Sequence, residues 1–227
     1  MRPPVVDYRE LRPAKLAEPR FVHLWLLLDW VGYLILYGLT ENLIPPERCH
    51  AMHCLLDDLT PFCEWFILPY CAWFLLILFS LGYFLLYHID SFKRLQIFIM
   101  ITQIVAMAVY IIYPSRQDLR PAVMPRQNPL TALTAFIYAV DTPTGVCPSL
   151  HVAYSLGIAS VWVKYQGATR AFKAFIVALC LTICLSVAFV KQHSWVDIFA
   201  AIPLSLLAEV IVYGRDWWLP RIKNIAG

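Results

Sequence analysis

Two histidines stand where apolar runs begin: His151 in CPSLHVAYSLG, from Cys147 to Gly157, and His193 in KQHSWVD, from Lys191 to Asp197. His193 and Asp197 are four residues apart, so on a helix the carboxylate meets one imidazole nitrogen and leaves the other free. A ring held this way is oriented for nucleophilic attack, and the positive charge it gains is stabilised. The plainer alternative is a structural pair at a helix end. A second histidine favours chemistry, because two imidazoles can divide phosphoryl transfer between them. One attacks phosphorus, while the other protonates the departing alkoxide and later activates an incoming hydroxyl. Ser149 could bond a phosphate oxygen or simply cap the helix that Pro148 begins, where a missing N–H costs little. Arg116, Arg120 and Lys191 are the candidates for holding phosphate charge, the guanidinium forks each matching two oxygens. Nothing in this set calls for a metal or another cofactor.

These segments are far apart in the chain, so other elements must gather them. Hydrophobic residues make up 60% of the 227 and charged ones only 15%, with a mean hydropathy of +0.65. That is too apolar for an ordinary soluble domain and places the chain in a membrane. A net charge of +3, spread between apolar runs, argues against nucleic acid as a partner. Six windows approach the length that crosses a bilayer, at 21–40, 64–87, 94–112, 149–163, 172–190 and 195–213. The fourth is short. The expectation is therefore an all-α, six-transmembrane helical bundle with a short interfacial helix at 130–139. An N-terminal arm over 1–20 and a tail over 214–227 flank a catalytic membrane domain at 21–213. The first window carries Asp29 and lacks a small-residue cleavage pattern after it, so it reads as structure and not as a signal peptide. Pro69 is expected to kink the second.

Basic residues set the expected orientation. Arg2, Arg9, Arg12, Lys15 and Arg20 precede the first span, Lys93 and Arg94 follow the second, and Lys164, Arg170 and Lys173 follow the fourth. Arg215, Arg221 and Lys223 follow the sixth. Six crossings put all of these on one face, which the positive-inside rule makes cytoplasmic, with both termini. The connection over 113–148 breaks the rule with Arg116, Arg120 and Arg126, so these need another purpose. The same count brings Tyr113–Pro121, Pro148–His151 and Lys191–Asp197 to the extracytoplasmic face together. Cys49 and Cys54 lie in the first outer connection, where an oxidising compartment could join them; His50 and His53 beside them read as polar loop residues and not as metal ligands.

With these motifs in place, the chain resembles the type 2 phosphatidic acid phosphatase superfamily, in its integral-membrane branch of lipid phosphate phosphatases and inositol-phosphorylceramide and sphingomyelin synthases. Arg120 and Pro121 match the end of the first motif, and Pro148, Ser149 and His151 match the second. The resemblance implies a phosphohistidine intermediate without metal, with His193 as nucleophile, Asp197 as its orienting carboxylate and His151 as general acid. Three positions depart from the pattern: Tyr113 replaces a lysine, Val187 an arginine, and Leu150 a glycine common in the phosphatases. Arg116 and Lys191 stand about one helical turn from the two lost charges.

The leading expectation is a membrane phosphatase acting on a lipid phosphate monoester or pyrophosphate. The departures keep a head-group phosphotransferase, using a lipid or polyol hydroxyl as acceptor, as the runner-up. A transporter or a noncatalytic lipid-binding protein is the third reading, weakened by the lack of a duplicated broken-helix pattern. Asp29 and Glu64, acidic residues within apolar windows, point to head-group or helix-stabilising roles.

Overall fold

The computed structural model describes residues 3–221. Arg2 and Lys223, two of the basic residues that flank the spans, lie outside them, as does the end of the tail. The chain is mainly helical, and five of its helical stretches are long and apolar enough to cross a membrane: Val22–Leu43, Glu64–Tyr87, Ile89–Ile112, Arg170–Phe189 and Trp195–Arg221. This makes it a multi-pass membrane chain.

The first stretch enters as a 3-10 turn and continues as α1 (Leu28–Leu43). A short α2 (Leu55–Leu59) lies in the following connection. The long α3 (Ile67–Tyr87) and α4 (Ile89–Ile112) follow, joined through His88, whose Nδ1 accepts from the Ser91 N–H and caps α4. Pro69 does not interrupt α3 at mid-span. It is the third residue, directly after a 3-10 turn at Glu64–Phe66, where the first turn owes no internal N–H bond. The expected interfacial helix is α5 (Pro129–Val140), capped by Asn128, with Pro129 at its first position.

The fourth apolar window becomes α6 (Leu150–Lys164), 15 residues that rise only ~22 Å at 1.5 Å per residue. It falls short of the ~30 Å hydrocarbon core that the longer helices match, and nine of its residues are buried between α3, α4, α7 (Arg170–Phe189) and α8 (Trp195–Tyr213). α6 is therefore the centre of the bundle. Trp162 on α6 donates to Ser80 Oγ on α3 at 3.0 Å, satisfying two polar atoms inside the core. Gly157 lets α4 approach so closely that a Cβ there would stand 2.5 Å from the Phe98 ring.

α1 is attached differently. None of its residues is buried. It leans on α4, where Trp30 Nε1 donates to Gln96 Oε1 at 3.0 Å and Gln96 Nε2 donates to Asp29 at 3.4 Å. Asp29 thus ties one helix to another. Glu64 takes two guanidinium bonds from Arg126, at 2.7 and 2.6 Å, and one from Asn128 at 3.1 Å, clamping the start of α5 to the start of α3. At the far end of α3 the N-terminal arm returns to the bundle: Tyr8 OH donates to Leu85 O at 2.9 Å, and the Val5 N–H donates to Leu86 O at 2.8 Å.

Two loops are stitched together by a minimal parallel pair, β1 (His50–Ala51) and β2 (Ser115–Arg116). His50 stacks on Tyr113 at 4.1 Å, and His53 pairs with Asp58 at 2.8 Å, so both serve as loop residues. Cys49 and Cys54 are free thiols, Cys49 buried with its Sγ toward Pro45 O and Cys54 opening α2.

Candidate functional site

The three separated segments meet at one end of the bundle. The Ser149 N–H donates to the Asp197 backbone carbonyl at 3.1 Å, which locks the start of α6 against the first turn of α8. Tyr110 OH donates to Pro148 O at 2.7 Å, and Ser115 Oγ accepts from the Val146 and Cys147 N–H groups, so α4 and β2 hold the approach to α6. Gly145 supports this turn with φ +61, a conformation that glycine adopts without a side-chain penalty.

His151 and His193 lie with ring centroids 5.5 Å apart, edge to face. Trp73 and Tyr70 of α3 lie against His151 at 4.0 and 4.7 Å and fix its plane, and its Nε2 is buried without a hydrogen-bond partner. His193 Nδ1 faces Asp197 Oδ2 at 3.2 Å. The same oxygen accepts from the Ser194 N–H at 2.9 Å, so one carboxylate both caps α8 and orients the ring. Nε2 is the ring nitrogen that Asp197 does not engage, and both rings line one groove of about 840 Å³. Ser149 Oγ makes no capping bond; it is fully buried and unpartnered. Burial and the Asp197 charge push the nearby Cys147 thiol up to about 12, which favours the protonated form.

Of the predicted basic residues, the structure brings Arg120 into this region. Its Nε and Nη2 close on Gln192 Oε1 at 3.0 and 2.6 Å, and its other donors reach the carbonyls of Tyr138, Asp141 and Thr142. The fork closes on a neutral amide oxygen. Arg116 is turned away: it pairs with Asp118 at 3.1 Å and donates to Pro46 O at 2.8 Å, at the outer edge of the β1–β2 pair. Lys191 is close in sequence to His193 but points elsewhere, donating from Nζ to the carbonyls of Asp57 and Thr60. In this conformation neither residue faces the histidines.

Lys191 adopts φ +55 just past the end of α7, a left-handed position usually given to glycine. The side chain explains the choice, because only a long donor reaches the α2 carbonyls. Burial lowers its pKa, with Asp57 and Asp58 opposing.

Several residues that matter here carried no motif. Asp57, 3% exposed, accepts from Ser194 Oγ at 2.6 Å, the Trp195 N–H at 2.9 Å and the Cys54 N–H at 2.8 Å. It thereby anchors the entry of α8, and with it His193, to α2. Gln192 bridges Arg120 to Asp141, its Nε2 donating to Asp141 Oδ2 at 3.1 Å. Asp141 lines the groove beside His193, and burial raises its carboxyl above the ordinary 3.8, opposed by Arg120 and His193. The only hints in sequence were a paired acid, Asp57–Asp58, on the same connection side as Lys191, and an acid ending the helix before PSLH. Compared with protein-family models, curated proteins and solved structures, the chain has no match.

Asp57→Ala strands three donors at the α2–α8 junction, each costing about 1–3 kcal/mol when left buried and unpaired. A clear drop in the detergent-solubilised melting temperature is expected, with Asp57→Asn recovering part of it; an unchanged melting temperature would show that the junction is not held there. The second expectation concerns pH. Because folding raises the Asp141 pKa, the native state binds that proton more tightly than the unfolded chain, and stability falls as pH rises from 3.8 through the folded value. Asp141→Asn copies the protonated form. It should melt above the parent at neutral pH and lose that advantage below the ordinary carboxylate range, in melting curves recorded against pH.

Proposed function

We propose that the chain is a membrane phosphatase that hydrolyses a lipid phosphate monoester or pyrophosphate through a phosphohistidine, without a metal ion. The observation that carries this reading is the histidine pair: rings 5.5 Å apart, one held by a buried carboxylate, at the polar end of a groove that is otherwise apolar. His193 Nε2 attacks phosphorus as the bond to the leaving oxygen breaks, and that oxygen takes a proton from His151. Arg120 exchanges Gln192 for two phosphoryl oxygens and meets the charge that spreads over them in the transition state. Water then gives a proton to His151 while its oxygen attacks phosphorus. The phosphorus–nitrogen bond breaks, and both rings return to their starting state.

In this reading α6 is a sixth crossing, short because protein surrounds it, and it completes the six-transmembrane bundle. Six crossings put both termini on the cytoplasmic face, with the basic N-terminal arm and the Arg94 and Lys164 ends, and the histidines on the extracytoplasmic face. One observation favours transfer to an alcohol as a second reading: Asp141, Thr142 and Thr144 line the groove beside the histidines and offer acceptors and hydroxyls to an incoming hydroxyl group.

Purified protein should release phosphate from lipid phosphates, or form an acceptor-dependent phospholipid if transfer is the reaction. His193→Ala should abolish either product while the protein stays folded. Gln192→Glu places a carboxylate on the Arg120 fork and is expected to raise KM about tenfold or more, through direct competition with phosphate. Turnover retained in His193→Ala would remove the nucleophile from this scheme.

A further inference from the structure

We propose that the groove measures one hydrocarbon chain of the substrate, and that the N-terminal arm sets its floor. This rests on the phosphoryl reading above and names the lipid that site prefers. The groove begins at His193 and His151 and continues between α1 and α3 as far as Leu85 and Phe92. Tyr70, stacked on His151, marks its top on α3, and Leu85 its bottom, fifteen residues later and ~22 Å away at 1.5 Å per residue. One leaflet of a ~30 Å hydrocarbon core is about 15 Å deep. A chain anchored by its phosphate at His193 therefore runs past the bilayer midplane before it meets protein.

The walls suit that occupant. They are apolar along this length, and Leu34, Leu75 and Leu78 are exposed at the side, so a chain enters laterally from the membrane. Leu85 and Phe92 close the groove, and polar bonds and rings stand behind them. Phe92 is fully buried under His23 at 5.8 Å, His23 Nε2 is hydrogen-bonded to Tyr8 OH at 2.8 Å, and the same hydroxyl donates to Leu85 O. Gly82 sits one turn above that floor, and a Cβ there would meet nothing within 4 Å. Open space at a groove-lining glycine is room for a chain end.

The test is kcat/KM for a series of single-chain lipid phosphates of rising length, with parent, Gly82→Ala and Gly82→Phe proteins. The parent should gain with length until the chain reaches the floor, and Gly82→Ala should follow it. Gly82→Phe should lose about tenfold or more on the longest substrates, by analogy with the cost of misfitting a hydrophobic pocket, while turning over short ones like the parent. Leu78→Trp, one turn higher on the same wall, serves if Gly82→Phe does not fold, and should cut in at a shorter length. An unchanged length profile in a folded variant overturns the ruler and leaves the phosphatase reading intact. Native mass spectrometry of bound lipid separates the two ideas without turnover. Long chains retained by the parent and lost by Gly82→Phe support the ruler even if no phosphate is released, an outcome that sinks the chemistry alone; equal retention by both overturns the ruler.

Discussion

The site depends on one buried carboxylate that belongs to neither histidine. Asp57 collects the Ser194 hydroxyl, the Trp195 N–H and the Cys54 N–H, and its backbone carbonyl, with that of Thr60, receives the Lys191 ammonium. These bonds hold the α7–α8 turn from both sides of His193. They also account for a lysine in a left-handed conformation, since the side-chain anchor outweighs a backbone penalty of order 1–2 kcal/mol. Placing a negative charge at the first turn of α8 is favourable in itself, because the exposed amides there carry the positive end of the helix dipole.

Around that junction, polar groups are arranged in a chain and not as a cluster of free charges. Asp197 is shared between the α8 cap and the His193 ring, Gln192 joins Arg120 to Asp141, and Ser149 links α6 to α8 through its N–H. Such sharing suits a membrane setting, where an unsatisfied polar group is costly. It leaves His151 Nε2, Ser149 Oγ and Asp197 Oδ1 as buried atoms still without partners at this end of the bundle.

Much of the helical layout was legible in the sequence because bilayer-length apolar runs are a strong signal: the windows at 64–87 and 195–213 coincide with helical stretches beginning at Glu64 and Trp195. The fourth window was harder. α6 has 15 residues, nine of them buried among other helices, a tertiary fact that no window carries. The meeting of Pro148–His151 with Lys191–Asp197 followed from counting passes, whereas the direction of single side chains did not. Arg116 and Lys191 have the right charge and spacing, but local partners, Asp118 for one and the α2 carbonyls for the other, decide where they point. Asp57, Gln192 and Asp141 carry no motif because their roles come from pairs more than fifty residues apart, such as Asp57 with Ser194 and Asp141 with Gln192, which no local pattern encodes.

α1 packs Trp30, Tyr33 and Tyr37 on the bundle while none of its residues is fully buried. This wall is fastened through Trp30 to Gln96 of α4 and Tyr154 of α6 and through Glu41 to Thr142, and its exposed leucines face outward, where a bilayer would meet them. The surrounding bilayer is then a structural component of the groove. Acyl thickness and lateral pressure bear on the gap between α1 and α3, so a host membrane of different composition presents a differently shaped groove.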